Sequence, residues 1–243
     1  MTLDPSAGLP PIDRFPRSAK YDAEWVIANE MGPHVLWLTE FLCEAMDIRA
    51  GMKVLDLGCG KALSSIFLAR EFDVQVWAAD LWVPALDNLE RIREADLQDQ
   101  VIPVNADARD LPFTDEAFDA IVSVDAFEYF GTHAPFLSSL VRVLKPEQQI
   151  GVVNAGVNEE VEVLPKEWPA DFSNFHTAEW WRDLWSKTGS VEVEVAEPMP
   201  DGRDLWLLWN KALGVTDDDW LTSLAGENLG FHRLVARRVS RQR

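Results

Sequence analysis

A glycine-containing turn after an apolar run is the first feature of the sequence that could bind a ligand. The run 54–60 (VLDLGCG) has the pattern of a strand that ends in an Asp-x-Gly-x-Gly turn. Glycine at positions 58 and 60 lets the backbone approach a ligand closely, where a Cβ atom would collide with it. Asp56 can accept hydrogen bonds from a cationic amino group or from backbone N–H groups, and has little use beside a phosphate. The turn therefore favours a ligand with an α-amino acid tail.

Two further acidic residues follow the next apolar runs. Asp80 lies 22 residues after the first glycine, where an acid can hold the hydroxyl pair of a ribose, although an aspartate here can also cap the turn that follows it. Leu81 and Trp82 come next and offer apolar surface to a purine ring. Asp107 can accept from an adenine amino group, while the backbone N–H of Ala108 donates to a ring nitrogen. The three elements together are more specific than any one of them.

The elements that must position these residues alternate along the chain. Short β-type runs separated by helical stretches predict parallel strands joined by crossover helices. Strands are predicted at 53–57, 74–79, 101–104, 118–124 and 150–154, with helices at 22–46, 64–72, after Pro84 and at 135–144. Later strands at 191–195 and 232–239, with helices at 177–187, 205–213 and 217–224, predict an antiparallel addition at the sheet edge. The expected fold is α/β, with a doubly wound, mostly parallel, seven-stranded sheet.

In this order the motifs resemble those of the class I S-adenosylmethionine-dependent methyltransferases, and more narrowly their small-molecule "type 11" group. The resemblance is carried by the Asp-x-Gly-x-Gly run, Asp80, the Asp107-Ala108 pair, the run 118–121 (FDAI) and Leu144-Lys145-Pro146. It covers residues 53–154, and it implies a Rossmann-like methyltransferase fold with a reversed C-terminal hairpin and helical lid segments. One departure is the run 147–149 (EQQ), where the family usually has glycines.

The resemblance also implies a cofactor, S-adenosyl-L-methionine, and a role for each motif residue. Gly58 and Gly60 would hold the methionine moiety, with Asp56 nearby. The ribose and adenine would contact Asp80, Leu81, Asp107 and Ala108, and Asp125 would line the sulfonium end.

Methyl transfer from a sulfonium is an in-line displacement, so the protein must hold the acceptor, exclude water and sometimes remove a proton. The predicted catalytic residues follow the fourth strand. Glu128 is the expected base or acceptor-orienting group, with Tyr129 beside it, and His133 is the second candidate because its ordinary pKa suits proton transfer near neutrality. Each could equally have a capping or surface role.

The domain organisation follows from the same reading. Residues 1–50 are expected to form an N-terminal arm and helical lid, and 51–243 a single domain in which 155–230 covers the substrate. That region is rich in tryptophan, at positions 180, 181, 185, 206 and 209. These side chains either pack in the core, as aromatic residues usually do, or form a cage for an ammonium or flat apolar acceptor.

The amino-acid composition limits the kinds of partner and cofactor that the protein is expected to bind. The 243 residues, 47% of them hydrophobic, carry a formal net charge of −19, which disfavours a nucleic-acid partner because phosphate binding needs basic patches. No apolar stretch of 18 residues and no signal-peptide pattern occurs, so a soluble, cytoplasmic protein is expected. Two cysteines and four histidines lack metal-ligand spacing, so no metal is predicted.

Two other functions remain possible from the sequence. A nicotinamide-dependent oxidoreductase would need a third glycine where Leu63 stands, and a Tyr-Lys or His catalytic set that is not visible. A non-catalytic nucleoside sensor needs no further signature, and would have the acceptor face blocked by side chains. The acceptor itself, its reacting atom (O, N, S or C) and the oligomeric state are left open; a small-molecule acceptor without a membrane partner is expected.

Overall fold

A computed structural model describes residues 13–240 of the chain, and its centre is one seven-stranded sheet. The strands are β1 (Lys53–Leu57), β2 (Gln75–Asp80), β3 (Val101–Asn105), β4 (Phe118–Val124), β5 (Leu144–Val157), β6 (Val191–Pro198) and β7 (Leu229–Arg238). Their spatial order is β3-β2-β1-β4-β5-β7-β6. The first five pair in parallel, and β7 runs antiparallel to both of its neighbours. The predicted sheet with a reversed C-terminal hairpin is confirmed.

The described residues also form eight α-helices, which cover both faces of the sheet. They are α1 (Ala23–Ala28), α2 (Val35–Cys43), α3 (Leu63–Phe72), α4 (Ala85–Glu94), α5 (Ala134–Leu140), α6 (Ala178–Lys187), α7 (Gly202–Leu213) and α8 (Asp219–Thr222). Alternation along β1 shows why two layers are needed: Val54 packs with α2 and α3, whereas Leu55 packs on the opposite face with α5 and α6. Both side chains are fully buried. The central strands are therefore apolar on both sides.

The N-terminal region differs from its prediction in one respect. The expected continuous helix over 22–46 is wrong, because residues 29–34 separate α1 from α2. Pro33 accounts for the break, since a proline disfavours helical backbone in the residue before it. The imidazole Nδ1 of His34 then accepts from the Trp37 N–H at 3.3 Å and caps α2. The first twelve residues of the expected arm lie outside the described residues.

Helix α2 is part of the core. All its residues from Leu36 to Cys43 are buried, in the same cluster as α3 and the inner strands. Because α2 is part of the core, only the segment before it could act as the lid predicted for residues 1–50. Residues 29–35 are the part of this region that reaches the site described below.

The C-terminal tryptophans pack mainly in the core. Trp181, Trp185 and Trp209 are completely buried, and Trp206 is nearly so. The first two lie between α6 and the sheet, and the other two place α7 on the opposite face. Burial of large aromatic surface holds the reversed hairpin and its helices on the parallel sheet.

Candidate active site

A cavity of about 410 Å³ opens at the carboxyl ends of β1, β2, β3 and β4. In open α/β sheets this edge, where successive crossovers diverge, is where ligands bind. Its lining residues fall into two groups by their chemistry. The glycine half comprises Gly58, Gly60, Asp80, Leu81, Asp107 and Ala108, and the acidic half comprises Trp82, Asp125, Tyr129, Phe130 and Asp171.

The glycine turn has a backbone that side chains would not tolerate. Gly58 and Gly60 have φ of +74° and +52°, the left-handed region that favours glycine. A Cβ atom on Gly58 would lie 2.5 Å from the Cβ of Ala126, and one on Gly60 would lie 2.9 Å from the Sδ of Met31. The side-chain amide of Asn88 supports the turn by donating to the Gly60 carbonyl at 2.9 Å. The turn therefore exposes its backbone to the cavity.

Asp80 ties the turn to the end of β2. Its Oδ2 accepts from the Gly60 N–H at 2.8 Å, and its Oδ1 accepts from the N–H groups of Trp82 and Val83 at 2.7 and 2.8 Å. Asp80 thus both caps its own turn and lines the cavity. A carboxylate has about four acceptor positions, so capacity remains for a ligand hydroxyl.

Asp56 is not brought to the cavity. Its carboxylate is fully buried, and its Oδ2 accepts from the hydroxyls of Ser64 at 2.6 Å and Ser65 at 2.5 Å. Burial raises the pKa of Asp56 to about 6, against the two hydroxyl hydrogen bonds that lower it. The structure therefore places Asp56 behind the turn, where it anchors the first turn of α3 to β1. The sequence suggests that Asp56 contacts the ligand directly, whereas in the structure its carboxylate anchors the helix.

The other predicted residues of the glycine half reach the cavity. Leu81, Asp107 and Ala108 all line it. Asp107 Oδ1 accepts from the Arg109 N–H at 2.8 Å, which fixes the carboxylate at the end of β3. These three residues and Asp80 come from two adjacent parallel strands, as the sequence order predicted.

The acidic half begins where β4 ends. Asp125 lines the cavity with a positive φ of +51°, a sparsely populated conformation for a residue with a side chain. Such outliers concentrate at functional sites. Burial raises the pKa of the Asp125 carboxyl to about 6.

Glu128 differs from its prediction in position. It is completely buried and is not among the residues that line the cavity. Its carboxyl lies against that of Asp125, with which it shares a hydrogen bond, and no cation of the described residues pairs with it. Burial, and then the nearby Asp125 charge, raise the pKa of Glu128 well above its ordinary value. The acid that faces the cavity is therefore Asp125, with the buried Glu128 close behind it.

Of the other two predicted catalytic residues, one reaches the cavity. Tyr129 lines it, and its pKa is raised by burial and then by the charges of Asp125, Glu128 and Asp171. His133 is exposed at the start of α5 and does not line the cavity. The structure thus does not bring His133 to the site.

Several site residues were missed by sequence reasoning. Asp171 lies in a short 3-10 turn within a loop that carries no motif. Met31 and Gly32 come from the segment between α1 and α2, and the Gly32 carbonyl accepts from the Trp209 indole N–H at 2.8 Å. The Lys61 ammonium donates to the Glu30 carbonyl at 3.0 Å. A proline after a glycine was the one signal that this segment is a loop.

The described residues contain neither a metal-binding cluster nor a membrane-spanning helix. Within residues 13–240 no group of three or more His, Cys, Asp or Glu side chains is arranged to hold a metal ion. No helix in that range is long and apolar enough to cross a membrane.

Comparison with known proteins agrees with this geometry. Residues 54–147 match a family model described as a methyltransferase domain. The methyltransferase GfsG of Streptomyces halstedii is 32% identical over 118 residues, 48% of this chain and 42% of that protein. The 27-O-demethylrifamycin SV methyltransferase of Amycolatopsis mediterranei is 30% identical over 110 residues, 45% of this chain and 40% of that protein. The chain thus matches less than half the length of these two relatives.

Solved structures resemble the chain over a longer stretch. A geranyl diphosphate C-methyltransferase from Streptomyces coelicolor A3(2) superposes with a TM-score of 0.73 at 22% identity, covering 96% of this chain and 88% of that one. At this identity the likeness concerns the fold. Sheet order and glycine turn thus agree with the methyltransferase-domain model that residues 54–147 match, and over that stretch the chain is similar to methyltransferases.

Proposed function

We propose that the protein is an S-adenosylmethionine-dependent methyltransferase that acts on a small-molecule acceptor. The observation that carries this proposal is the contact between Asp80 and the Gly60 N–H, at 2.8 Å on the wall of a cavity large enough for a nucleoside and a second ligand. When bound, S-adenosylmethionine supplies an electrophilic methyl group on a sulfonium. All other steps depend on residues of the chain.

The residues of the glycine half fit that cofactor. Gly58 and Gly60 line the cavity with left-handed backbone that only glycine adopts readily, which suits the methionine moiety. Asp80 is held as an oriented carboxylate by three backbone N–H groups and suits the ribose hydroxyls. Leu81 and Ala108 offer apolar and backbone contacts to the adenine, and Asp107 an acceptor for its amino group.

In the acidic half the chain positions the acceptor and takes up its proton. Asp125 faces the cavity after β4, with Tyr129 on the same wall. A carboxylate whose pKa is about 6 is a suitable proton acceptor near neutral pH. Glu128 is then a positioning residue, because its buried carboxyl sets the charge state of its neighbour Asp125 and does not touch the cavity.

An open acceptor space favours catalysis over a nucleoside sensor. A sensor would have side chains filling the face opposite the glycine turn. Here the cavity continues from Gly58 to Tyr129 and Asp171. The relative named for 27-O-demethylrifamycin SV supports a small-molecule acceptor. Exclusion of nucleic acid stays a prediction that rests on the net charge of −19.

The proposal is tested by calorimetric titration of S-adenosylhomocysteine into the wild type and Asp80→Asn, with NADH as the control ligand. Micromolar binding of S-adenosylhomocysteine alone is expected. Asp80→Asn should weaken it about 10- to 100-fold, because an amide NH₂ then faces backbone N–H groups and a charged acceptor is lost.

Asp87→Asn is the matched control. Asp87 is an exposed acid on α4 that does not line the cavity, and this variant should bind like the wild type. Binding of NADH, or of neither ligand, would refute the proposal. Thermal melting of each variant separates a lost contact from a lost fold.

A further inference from the structure

The charges of the cavity are distributed unevenly between its two halves. Asp125 and Asp171 both line the acidic half, and the charges of Asp125, Glu128 and Asp171 all raise the pKa of Tyr129 after burial does. Among the described lining residues the two cations are Lys61 and Arg109. Lys61 donates to the Glu30 carbonyl at 3.0 Å, and Arg109 lies 3.8 Å from Asp107 in the glycine half. The acidic half therefore contains carboxylates that no lining cation of the described chain pairs with.

Two aromatic rings stand beside these carboxylates. The Trp82 and Tyr129 ring centroids are 6.5 Å apart, with the planes at 57°. A cation between the rings could lie within about 6 Å of both centroids, which is the range of the cation–π attraction. Trp82 is 73% exposed, unusual for the largest apolar side chain. An exposed indole on the wall of a cavity indicates that a ligand covers it.

The mouth of the cavity is apolar as well. Met31 is 54% exposed and Tyr129 is 40% exposed, and both line the cavity together with Trp82. Exposed apolar side chains grouped in this way commonly mark a ligand site. A ligand held here would present a hydrocarbon portion to the mouth and a cationic group to the acidic half.

We propose that the methyl acceptor is an amine with an apolar substituent, recognised by Asp125, Asp171 and the Trp82–Tyr129 ring pair. This inference rests on the proposed function and names its substrate class. An acceptor with a phosphate would place anions beside unpaired carboxylates, which is strongly unfavourable at short range. In the solved structure of the geranyl diphosphate C-methyltransferase the diphosphate is present together with Mg²⁺, whereas within residues 13–240 of this chain no group of three or more His, Cys, Asp or Glu side chains is arranged to hold a metal ion.

Methyl transfer to an amine accounts for every bond, proton and charge. The ammonium first gives a proton to the Asp125 carboxylate or to water, which frees the nitrogen lone pair. That lone pair forms the bond to the methyl carbon, and the electron pair of the breaking carbon–sulfur bond stays on sulfur. The methylated ammonium keeps its positive charge, so the acidic half stabilises both substrate and product, and the charge that develops on nitrogen between them.

The test is binding, with three probes that share one tail: n-octylamine, n-octanol and mono-n-octyl phosphate. Each is titrated calorimetrically into protein saturated with S-adenosylhomocysteine, at pH 7.5 and physiological salt. Octylamine, which is charged at this pH, should bind at least about tenfold more tightly than octanol, since a charge-assisted hydrogen bond and a cation–π contact are added. Octyl phosphate should show no measurable binding.

Matched variants separate site binding from general attraction to an acidic protein. Asp171→Asn should weaken octylamine binding about three- to tenfold and leave octanol binding unchanged. Asp183→Asn removes one exposed acid from α6, away from the cavity lining, and should change neither. Trp82→Ala should weaken octylamine to a similar degree as Asp171→Asn.

Three results would overturn the amine proposal: octyl phosphate binding as well as octylamine, octanol binding as well as octylamine, or equal weakening by Asp171→Asn and Asp183→Asn. Absence of binding by every probe would overturn it too. In each case S-adenosylhomocysteine binding stays intact, so the proposed function survives. Failure of S-adenosylhomocysteine itself to bind would instead refute the methyltransferase proposal.

Discussion

The two halves of the cavity are built by different means. In the glycine half the polar groups hold one another: the Asp80 carboxylate alone accepts from three backbone N–H groups. In the acidic half the buried carboxyls of Asp125 and Glu128 lie against each other and share a hydrogen bond, and no cation of the described residues pairs with them. One half is organised before a ligand arrives, whereas the other holds charge that a ligand can satisfy.

This difference matches what each half must do. A cofactor that is always the same is best held by fixed backbone geometry, which costs no reorganisation on binding. Buried carboxyl groups that no cation neutralises destabilise a fold, so their retention beside a cavity indicates a functional demand. The comparison predicts that variants in the glycine half weaken cofactor binding, and that variants in the acidic half change stability or acceptor binding.

The largest effect is expected from Gly58→Ala. The new Cβ would meet the Ala126 Cβ at 2.5 Å on a backbone with φ of +74°, so the turn must move. Overpacking of this kind costs about 1–3 kcal/mol, and the left-handed conformation costs an alanine about 1–2 kcal/mol more. S-adenosylhomocysteine affinity should fall at least about 100-fold in a calorimetric titration.

Gly189→Ala provides the control for backbone conformation alone. Gly189 has φ of +62° and no atom within 4 Å of its would-be Cβ. This variant should lower the melting temperature slightly and leave cofactor affinity unchanged. Similar cofactor affinities for Gly58→Ala and Gly189→Ala would mean that the close approach to Ala126 does not matter for the site.

The second effect concerns the stability of the acidic half. Glu128→Gln should raise the free energy of unfolding at pH 8 by about 1–3 kcal/mol, since a buried carboxyl that is costly to ionise in the folded state is replaced by a neutral amide. Urea unfolding of both proteins from pH 5 to pH 8 measures this. Cofactor affinity should not change.

The sign of the pH dependence follows from the direction of the shift. Burial raises the folded-state pKa of Glu128, so its contribution is fully present below the pKa of the unfolded chain and is lost as the pH rises through the folded value. The wild type should therefore lose stability relative to Glu128→Gln as the pH increases. Asp125 remains in both proteins, but Glu128 acts on its pKa, so the slope measured against pH belongs to the pair. If the difference in unfolding free energy between the two proteins did not change with pH, the raised pKa of Glu128 would be contradicted.

The glycine half could be predicted from the sequence, and the acidic half only in part. Gly58 and Gly60 are required by the backbone conformation of the turn, and Asp80 follows the next strand in a fixed order. Residue type and spacing are therefore enough to identify all three. Asp56 shares that motif yet points into the core, because a strand alternates its side chains and the motif does not say which face Ser64 and Ser65 occupy.

The misplaced acidic residues have a similar cause. Proximity along the chain after β4 does not tell whether Glu128 faces the cavity or the core, which depends on the 3-10 turn 127–129. Asp171 lies far along the chain, in a loop whose position is set by packing of Trp168 and Phe172. The orientation of Glu128 and the position of Asp171 both depend on tertiary packing, which a local sequence pattern does not reveal.

The segment between α1 and α2 gives the third prediction. Trp209→Phe removes the indole N–H that donates to the Gly32 carbonyl at 2.8 Å, and so frees one end of the segment that covers Gly60. S-adenosylhomocysteine should bind about three- to tenfold more weakly, chiefly through faster dissociation, because one hydrogen bond contributes about 1 kcal/mol. Stopped-flow measurement of the dissociation rate checks this.

Trp206→Phe is the matched control on the same helix. Trp206 is also a core side chain, and its indole N–H donates to no residue within the described range. Both variants lose similar packing, so their melting temperatures should fall alike while the dissociation rate rises only in Trp209→Phe. Equal rates would show that the segment is held by other contacts, such as that of Lys61 with Glu30.

The smallest effect is expected at the imidazole that the sequence favours as a second catalytic candidate. His133 is exposed, precedes α5 and is absent from the cavity lining, so His133→Asn should change octylamine and S-adenosylhomocysteine affinities less than about twofold, which is within the ordinary range of surface substitutions. Asparagine also suits the residue before a helix, so the fold should be kept. A loss above tenfold in octylamine affinity would mean that the loop 130–133 closes over the acceptor when it binds. The site would then consist of a fixed glycine half, an acidic half that its ligand completes, and a mobile loop.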